Sequence, residues 1–157
     1  MKKYYLIIIL LLFTQCDYKP IYSQNNQNFG IKIIEFNENR SNKILVTRLE
    51  NYSYKKDKTF LYELKLFSSE NKLILSKDTK GDPLLLGLKI NLKIDVYEKD
   101  KLVTKKEYNE QFNYQNLSKK FELNDYESEI RLNIYNKMVS KILIDLANLK
   151  WFLNLLR

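Results

Sequence analysis

The chain has 157 residues, a net charge of +8 and 45% apolar residues, enough for one ordinary domain with a proper core. It holds no histidine, one cysteine and three glycines, which excludes the usual general base, the commonest metal ligand, an intramolecular disulfide and a glycine-rich phosphate loop. The basic balance points to an anionic partner, although the abundance of Lys, Asn, Ile and Tyr reflects an AT-rich genome as much as a function.

The first element is a targeting segment. Lys2 and Lys3 precede an unbroken apolar run of ten residues, Tyr4 to Phe13, and Cys16 follows Phe13, Thr14 and Gln15. A basic start, a short apolar stretch and a cleavage zone define a secretory signal peptide. A spanning helix needs about 20 apolar residues, so this run is too short for an anchor. A lone thiol has no partner within a secreted chain, but a thiol directly after the cut is where bacterial lipoproteins carry acyl chains such as palmitate. Cys16 is therefore the expected lipidation site, and a multiply acylated cysteine holds a chain on a membrane stably. The expected organisation is a signal peptide over 1–15, an extended tether over 16–30 and a single domain over 31–157. Pro20 and the Asn/Gln stretch that follows suit an extended spacer.

"IKIIEF", 31–36, reads as a strand, apolar enough to be central. The stretch 37–54 reads as a helix with Leu45, Leu49 and Tyr52 at helical spacing and Ser41 or Asn39 as its cap. "TFLYELKLFS", 59–68, alternates in polarity and is followed by "SSEN" and a second run at 70–79, which together predict a hairpin. Gly81, Asp82 and Pro83 break the chain. The clearest strand is 85–98, where Leu86, Leu88, Ile90, Leu92, Ile94 and Val96 alternate with Lys89, Asn91, Lys93 and Asp95. Sustained period two means one buried face and one wet face. "KDK" at 99–101 is a tight turn into a more polar strand, 102–115.

From about Leu123 to Leu149 apolar residues step by four: Tyr126, Ile130, Ile134, Met138, Ile142 and Leu146. This predicts an amphipathic helix capped by Asn124 or Asp125, its stripe on a sheet. Glu127 and Glu129 read as a solvated helix start suited to the dipole. The tail "KWFLNLLR" continues the helix, docks on the domain or meets a partner. The sum is an α+β two-layer sandwich, a mixed four- to five-stranded sheet with two helices on one face. The other face is then polar and lysine-bearing. Lys77 and Lys80, at a strand end and in its turn, are the candidate contacts for an anionic lipid, against the plainer reading of a solubilising surface.

The mature start, Cys16, any residue, then Tyr18, Lys19, Pro20, Ile21 and Tyr22, resembles that of the lipopolysaccharide-assembly lipoprotein family LptE (RlpB) in its alphaproteobacterial form, with Asp17 in place of the common Gly. Phe112, Asn113, Tyr114, Phe121 and Glu127 to Glu129 echo a second passage of that family. The resemblance implies a non-enzymatic protein without cofactor or metal. It implies a lipid-anchored place on the periplasmic face of the outer membrane, the β-barrel LptD as partner, and lipopolysaccharide as a ligand. No nucleic-acid partner is expected. The competing readings are a periplasmic binding or inhibitor lipoprotein without a barrel partner and, least favoured by the missing histidine, an enzyme.

Overall fold

The computed structural model describes residues 29–52 and 60–155. In chain order it contains β1 (Phe29–Phe36), α1 (Arg40–Glu50), β2 (Phe60–Lys77), β3 (Pro83–Glu98), β4 (Lys101–Gln115) and α2 (Lys120–Leu155). The strands make one four-stranded sheet in the order β1-β2-β3-β4. β1 lies parallel to β2, whereas β2, β3 and β4 pair antiparallel. Parallel neighbours need a crossover, and α1 lies between them in sequence. The architecture is the expected α+β fold with a mixed sheet.

Period two builds the core. Tyr62, Leu64 and Leu66 of β2 and Leu86 to Val96, at alternate positions of β3, are all buried. They join Phe29 and Ile31 of β1, Leu45 and Leu49 of α1, and Ile134, Met138 and Ile142 of α2 in one cluster. Both helices therefore cover the same sheet face. α1 begins at Asn39, whose side chain accepts a hydrogen bond from Asn42 N at 2.7 Å, one of the two caps expected. At the β3–β4 hairpin, Lys99 (φ 49°) and Asp100 (φ 63°) both occupy the left-handed region. That is the backbone of a two-residue type I′ turn, here without glycine.

Several expectations need correction. Among the described residues the sheet has four strands, within the expected four to five, but the expected hairpin at 59–79 is wrong because "SSEN" is not a turn. β2 runs through it, with Ser68, Ser69, Glu70 and Asn71 opposite Leu92, Asn91, Ile90 and Lys89 of β3. Alternation continues across these residues, but polar side chains take the inward positions. Where β1 ends, asparagines take over. Asn37 Oδ1 accepts from Ser68 N at 3.0 Å, and the Ser68 carbonyl accepts from Asn37 Nδ2 at 3.0 Å and Asn39 Nδ2 at 2.8 Å. Fully buried Asn42 bridges this cluster by donating to the Asn37 carbonyl at 2.9 Å. β1 is an edge strand rather than a central one, and its second half is largely exposed. α2 starts at Lys120, so Asn124 and Asp125 lie inside it and do not cap it. Tyr126, expected on the buried stripe, is over a third exposed, and so is Leu132. The tail continues the helix to Leu155.

Candidate binding surface

The domain has two structurally different ends. Phe29 pairs with Phe60, so the chain enters the sheet at the end that carries the β3–β4 turn. Cys16, Tyr18, Lys19, Pro20, Ile21 and Tyr22 precede it and lie outside the described residues. The 18 residues of β2 lead to the opposite end, about 56 Å away at roughly 3.3 Å per residue.

That far end is the tip: the β2–β3 turn, the end of β4 and the start of α2. Asp78 braces the turn. Its Oδ1 accepts from Lys80 N at 2.9 Å and Asp82 N at 2.8 Å, and its own N–H donates to the Asp82 carbonyl at 2.8 Å. Gly81 closes the loop at φ +90°, a conformation that favours glycine. Asn116 straps the end of β4 to β3 by donating from N to the Leu84 carbonyl at 2.9 Å and from Nδ2 to the Pro83 carbonyl at 2.8 Å. The structure thus brings Lys77 and Lys80 to one end of the molecule, both exposed. They do not form a patch of one sign, because Asp78 and Asp82 share the turn. The feature that sequence reading missed here is apolar. Phe121 is 76% exposed and Leu84 56%, and Ile74, Leu75, Phe112 and Leu117 are exposed around them. Phe121 gave a signal, since it sits in an otherwise polar stretch, whereas Leu84 is in phase with the buried positions of β3 and is exposed because it lies at the strand's end.

The sheet face away from the helices carries lysines and amides, as expected, but Phe67 and Leu75 are also exposed on it. Lys89 and Lys93 lie on it. Its centre is a ladder of amides, with Asn91 paired to Asn109 and Lys89 to Gln111 on β4. Asn91 Nδ2 reaches Ser69 Oγ at 3.4 Å, and Gln111 Nε2 reaches Asn113 Oδ1 at 2.8 Å. Charges on this face pair locally, Lys32 with Glu63 at 2.9 Å, Lys65 with Glu35 at 2.6 Å and Lys105 with Asp95 at 3.0 Å. Gly87 keeps a gap there: a Cβ would come within 3.2 Å of Leu75 Cδ1.

A second polar layer joins α2 to the sheet. Glu127 is not a solvated helix start but buried, bound by Lys72 and by Tyr114 OH at 2.8 Å. Arg131 grips Glu70 through Nε (2.9 and 3.0 Å) and Nη2 (2.7 Å). Lys137 and Lys141 both bind Glu110. Burial pushes the Glu110 carboxyl up, but the two lysines outweigh it and hold it below its usual value. Tyr108 OH donates to Asp145 at 2.7 Å. Burial first, and then the Asp145 carboxylate, push the Tyr108 phenol well above its usual range. Among the described residues no three His, Cys, Asp or Glu side chains gather to hold a metal ion, and no helix is long and apolar enough to cross a membrane.

No family model matches the chain, and no curated protein matches it in sequence. Its fold, however, is that of known lipoproteins. It is similar to rare lipoprotein B of Shewanella oneidensis, with a TM-score of 0.56 at 15% identity, over 78% of this chain and 98% of that one. It is similar to a lipoprotein of Caulobacter crescentus CB15, with a TM-score of 0.57 at 14% identity, over 79% and 90% of the two chains. A lipoprotein B of Nitrosomonas europaea matches with a TM-score of 0.51 at 12% identity, over 74% and 83%. The fold implied by the resemblance to the RlpB (LptE) family is the fold found.

Proposed function

We propose that this chain is a lipid-anchored, non-enzymatic lipoprotein of the LptE type on the periplasmic face of the outer membrane. In this reading Cys16 carries the acyl chains. The domain plugs the LptD β-barrel, assists its assembly and helps pass lipopolysaccharide to the cell surface. The observation that carries the reading is the shared fold with rare lipoprotein B, which spans 98% of that protein. The start motif Cys16, Tyr18, Lys19, Pro20, Ile21 and Tyr22 supports it from the sequence. The paired and amide-rich open face suits a hydrated lumen, because its charges find partners within the sheet.

The test is detergent extraction followed by pull-down of the full chain. A plug emerges with a barrel of much larger mass, whereas a lipoprotein that acts alone emerges alone, and that result would remove the barrel from the reading. Mass spectrometry of the same preparation checks the anchor. Acyl mass on a chain that starts at Cys16, lost in Cys16→Ser, is expected. A lipid-free parent chain would exclude the tether.

A further inference from the structure

Two clefts open along β4 beneath α2, and the charges around them are spent differently. The first, of about 230 Å³, has Ile94, Val96 and Tyr108 of the sheet as one wall and Ile142, Leu146 and Leu149 of α2 as the other. Lys106 and Asp145 stand at it. The second, of about 280 Å³, lies nearer the tip, between Phe112 on the strand and Ile130 and Ile134 on the helix. Three lysines of the α2 seam are tightly held: Lys137 and Lys141 bind Glu110, and Lys72 binds Glu127. Lys106 is not. Among the described residues it meets Asp145 alone, at 3.8 Å, too long for a hydrogen bond. The same Asp145 oxygen already accepts from Tyr108 OH at 2.7 Å. The Lys106 ammonium thus keeps its donors at the mouth of an apolar cleft, with its side chain 46% exposed. At the second cleft the balance is reversed, because Lys137 is spent on Glu110 and Glu129 stands exposed.

We propose that the first cleft binds a free fatty acid, a single acyl chain whose carboxylate sits on Lys106. The chain lies between the sheet and α2, against Ile94, Ile142 and Leu146. Size sets the number of chains. The cleft follows α2 from Ile142 to Leu149, about 10 Å at 1.5 Å per residue. It exceeds the apolar cavity of about 150 Å³ that holds one benzene, so it is longer than a ring. It falls below the roughly 300 Å³ at which sites for drug-sized ligands begin, so it takes one chain and not the several of a membrane lipid. Charge sets the head group. Asp145 lines the same mouth, but its Oδ2 is turned onto Tyr108 OH, and a ligand carboxylate reaches Lys106 from the exposed side. There it gives Lys106 the close partner that Asp145 does not, a charge-assisted hydrogen bond. Glu129 repels the same head group at the second cleft. This inference goes beyond the barrel reading, and its failure leaves co-purification with a barrel untouched.

The test uses the full chain with Cys16→Ser, so that no acyl group of its own competes, and isotope-labelled isoleucine and leucine methyl groups. Decanoate, kept below its micelle threshold, should shift the methyl signals of Ile94, Ile142 and Leu146 and leave those of Ile130 and Ile134 in place. Shifts at Ile130 and Ile134 instead, or no shifts, overturn the site. Decyltrimethylammonium has the same chain with a cationic head and should bind at least about tenfold more weakly. Lys106→Gln should weaken decanoate about tenfold, the loss of one charge-assisted hydrogen bond, at an unchanged melting temperature. Equal affinity in either comparison overturns the role of Lys106. Phosphatidylglycerol vesicles supply the other source of an acyl chain, a bilayer lipid. The same methyl shifts with vesicles and none with decanoate overturn the free acid as the ligand.

Discussion

Replacing Glu70 with alanine tests the most consequential departure of the fold from its sequence pattern. Glu70 sits where a turn was expected, on the helix side of β2, opposite Ile90. Arg131 donates three hydrogen bonds to its carboxylate, and Tyr135 OH lies 3.2 Å from Oε2. The side chains are 12% and 25% exposed at Arg131 and Glu70, and Tyr135 is fully buried. Breaking a fully buried ion pair costs about 3–5 kcal/mol, and an exposed one about 0–1 kcal/mol. A pair this enclosed, with a guanidinium and a phenol left behind, should cost about 2–3 kcal/mol. That is a drop of about 5–10 °C in melting temperature for a chain of this size. Urea unfolding followed by circular dichroism measures it. Glu70→Gln keeps an acceptor and should lose less. The double variant Glu70→Leu, Arg131→Met removes both charges and should recover most of the loss, since burying a matched ion pair gains little over apolar packing. Hydrogen exchange adds a local readout: the 69–72 amides that bond to β3 should be protected. A change under about 0.5 kcal/mol in Glu70→Ala, together with fast exchange at 69–72, would refute the continuous strand.

Ile134→Ala in α2 should cost about 2–5 kcal/mol and sharply lower the melting temperature, as should Leu92→Ala opposite it; near-silent results at both would invert the buried face. Asp100→Gly should stabilise the domain by about 1 kcal/mol in thermal melts, because it relieves a left-handed residue at φ 63°. Raised tyrosine pKa values make the fold sensitive to base. Tyr62 is pushed up to about 12, by burial and then Glu98, and burial also heads the causes that raise Tyr108 and Tyr114. Their contribution is complete below the unfolded value near pH 10 and is lost as pH rises toward the folded values. Stability should then fall by about 1.4 kcal/mol per pH unit for each, and absorbance at the tyrosinate band should show these phenols ionising only as the protein unfolds. Finally, Lys77→Glu with Lys80→Glu should weaken binding to purified lipopolysaccharide at low salt and leave the melting temperature unchanged; equal affinity at low and high salt would leave these lysines as plain surface.

Elements whose partners are apolar were legible, and elements whose partners are polar were not. β3 announces itself because Leu86 to Val96 need only an apolar layer above them, and any helix stripe supplies one. The same holds for Ile130 to Leu146 of α2. Ser68 and Glu70 carry no such sign. Their inward position depends on Asn37 and Asn39, about thirty residues earlier, and on Arg131, 61 residues later. Glu127 misleads for the same reason: a helix-start carboxylate looks solvated until Lys72 and Tyr114 arrive from two strands. The proposed anchor is the reverse case. Its signal is wholly local, a short apolar run before a lone thiol, and it lies outside the described residues.

The separation of the two ends constrains how the barrel reading can work. β2 alone measures about 56 Å, against about 30 Å for the hydrocarbon core of a bilayer. A domain tethered near Phe29 to the inner leaflet and set upright in a lumen would carry its tip beyond the core, to the outer surface. The same domain lying flat beneath the membrane would keep its tip in the periplasm. Only the upright placement would bring Leu84, Phe121, Lys77 and Lys80 together to the leaflet where lipopolysaccharide must arrive. Among the described residues, no layer covers the exposed apolar side chains there, unlike those of the core. The apolar group would suit the acyl chains of an amphiphile by burial, while Lys77 and Lys80 would meet its phosphates with Asp78 and Asp82 in the same turn offsetting their charge. The open sheet face differs, because Lys32, Lys65 and Lys105 pair there with Glu63, Glu35 and Asp95. On this reading the sheet face would face water while the tip would meet lipid.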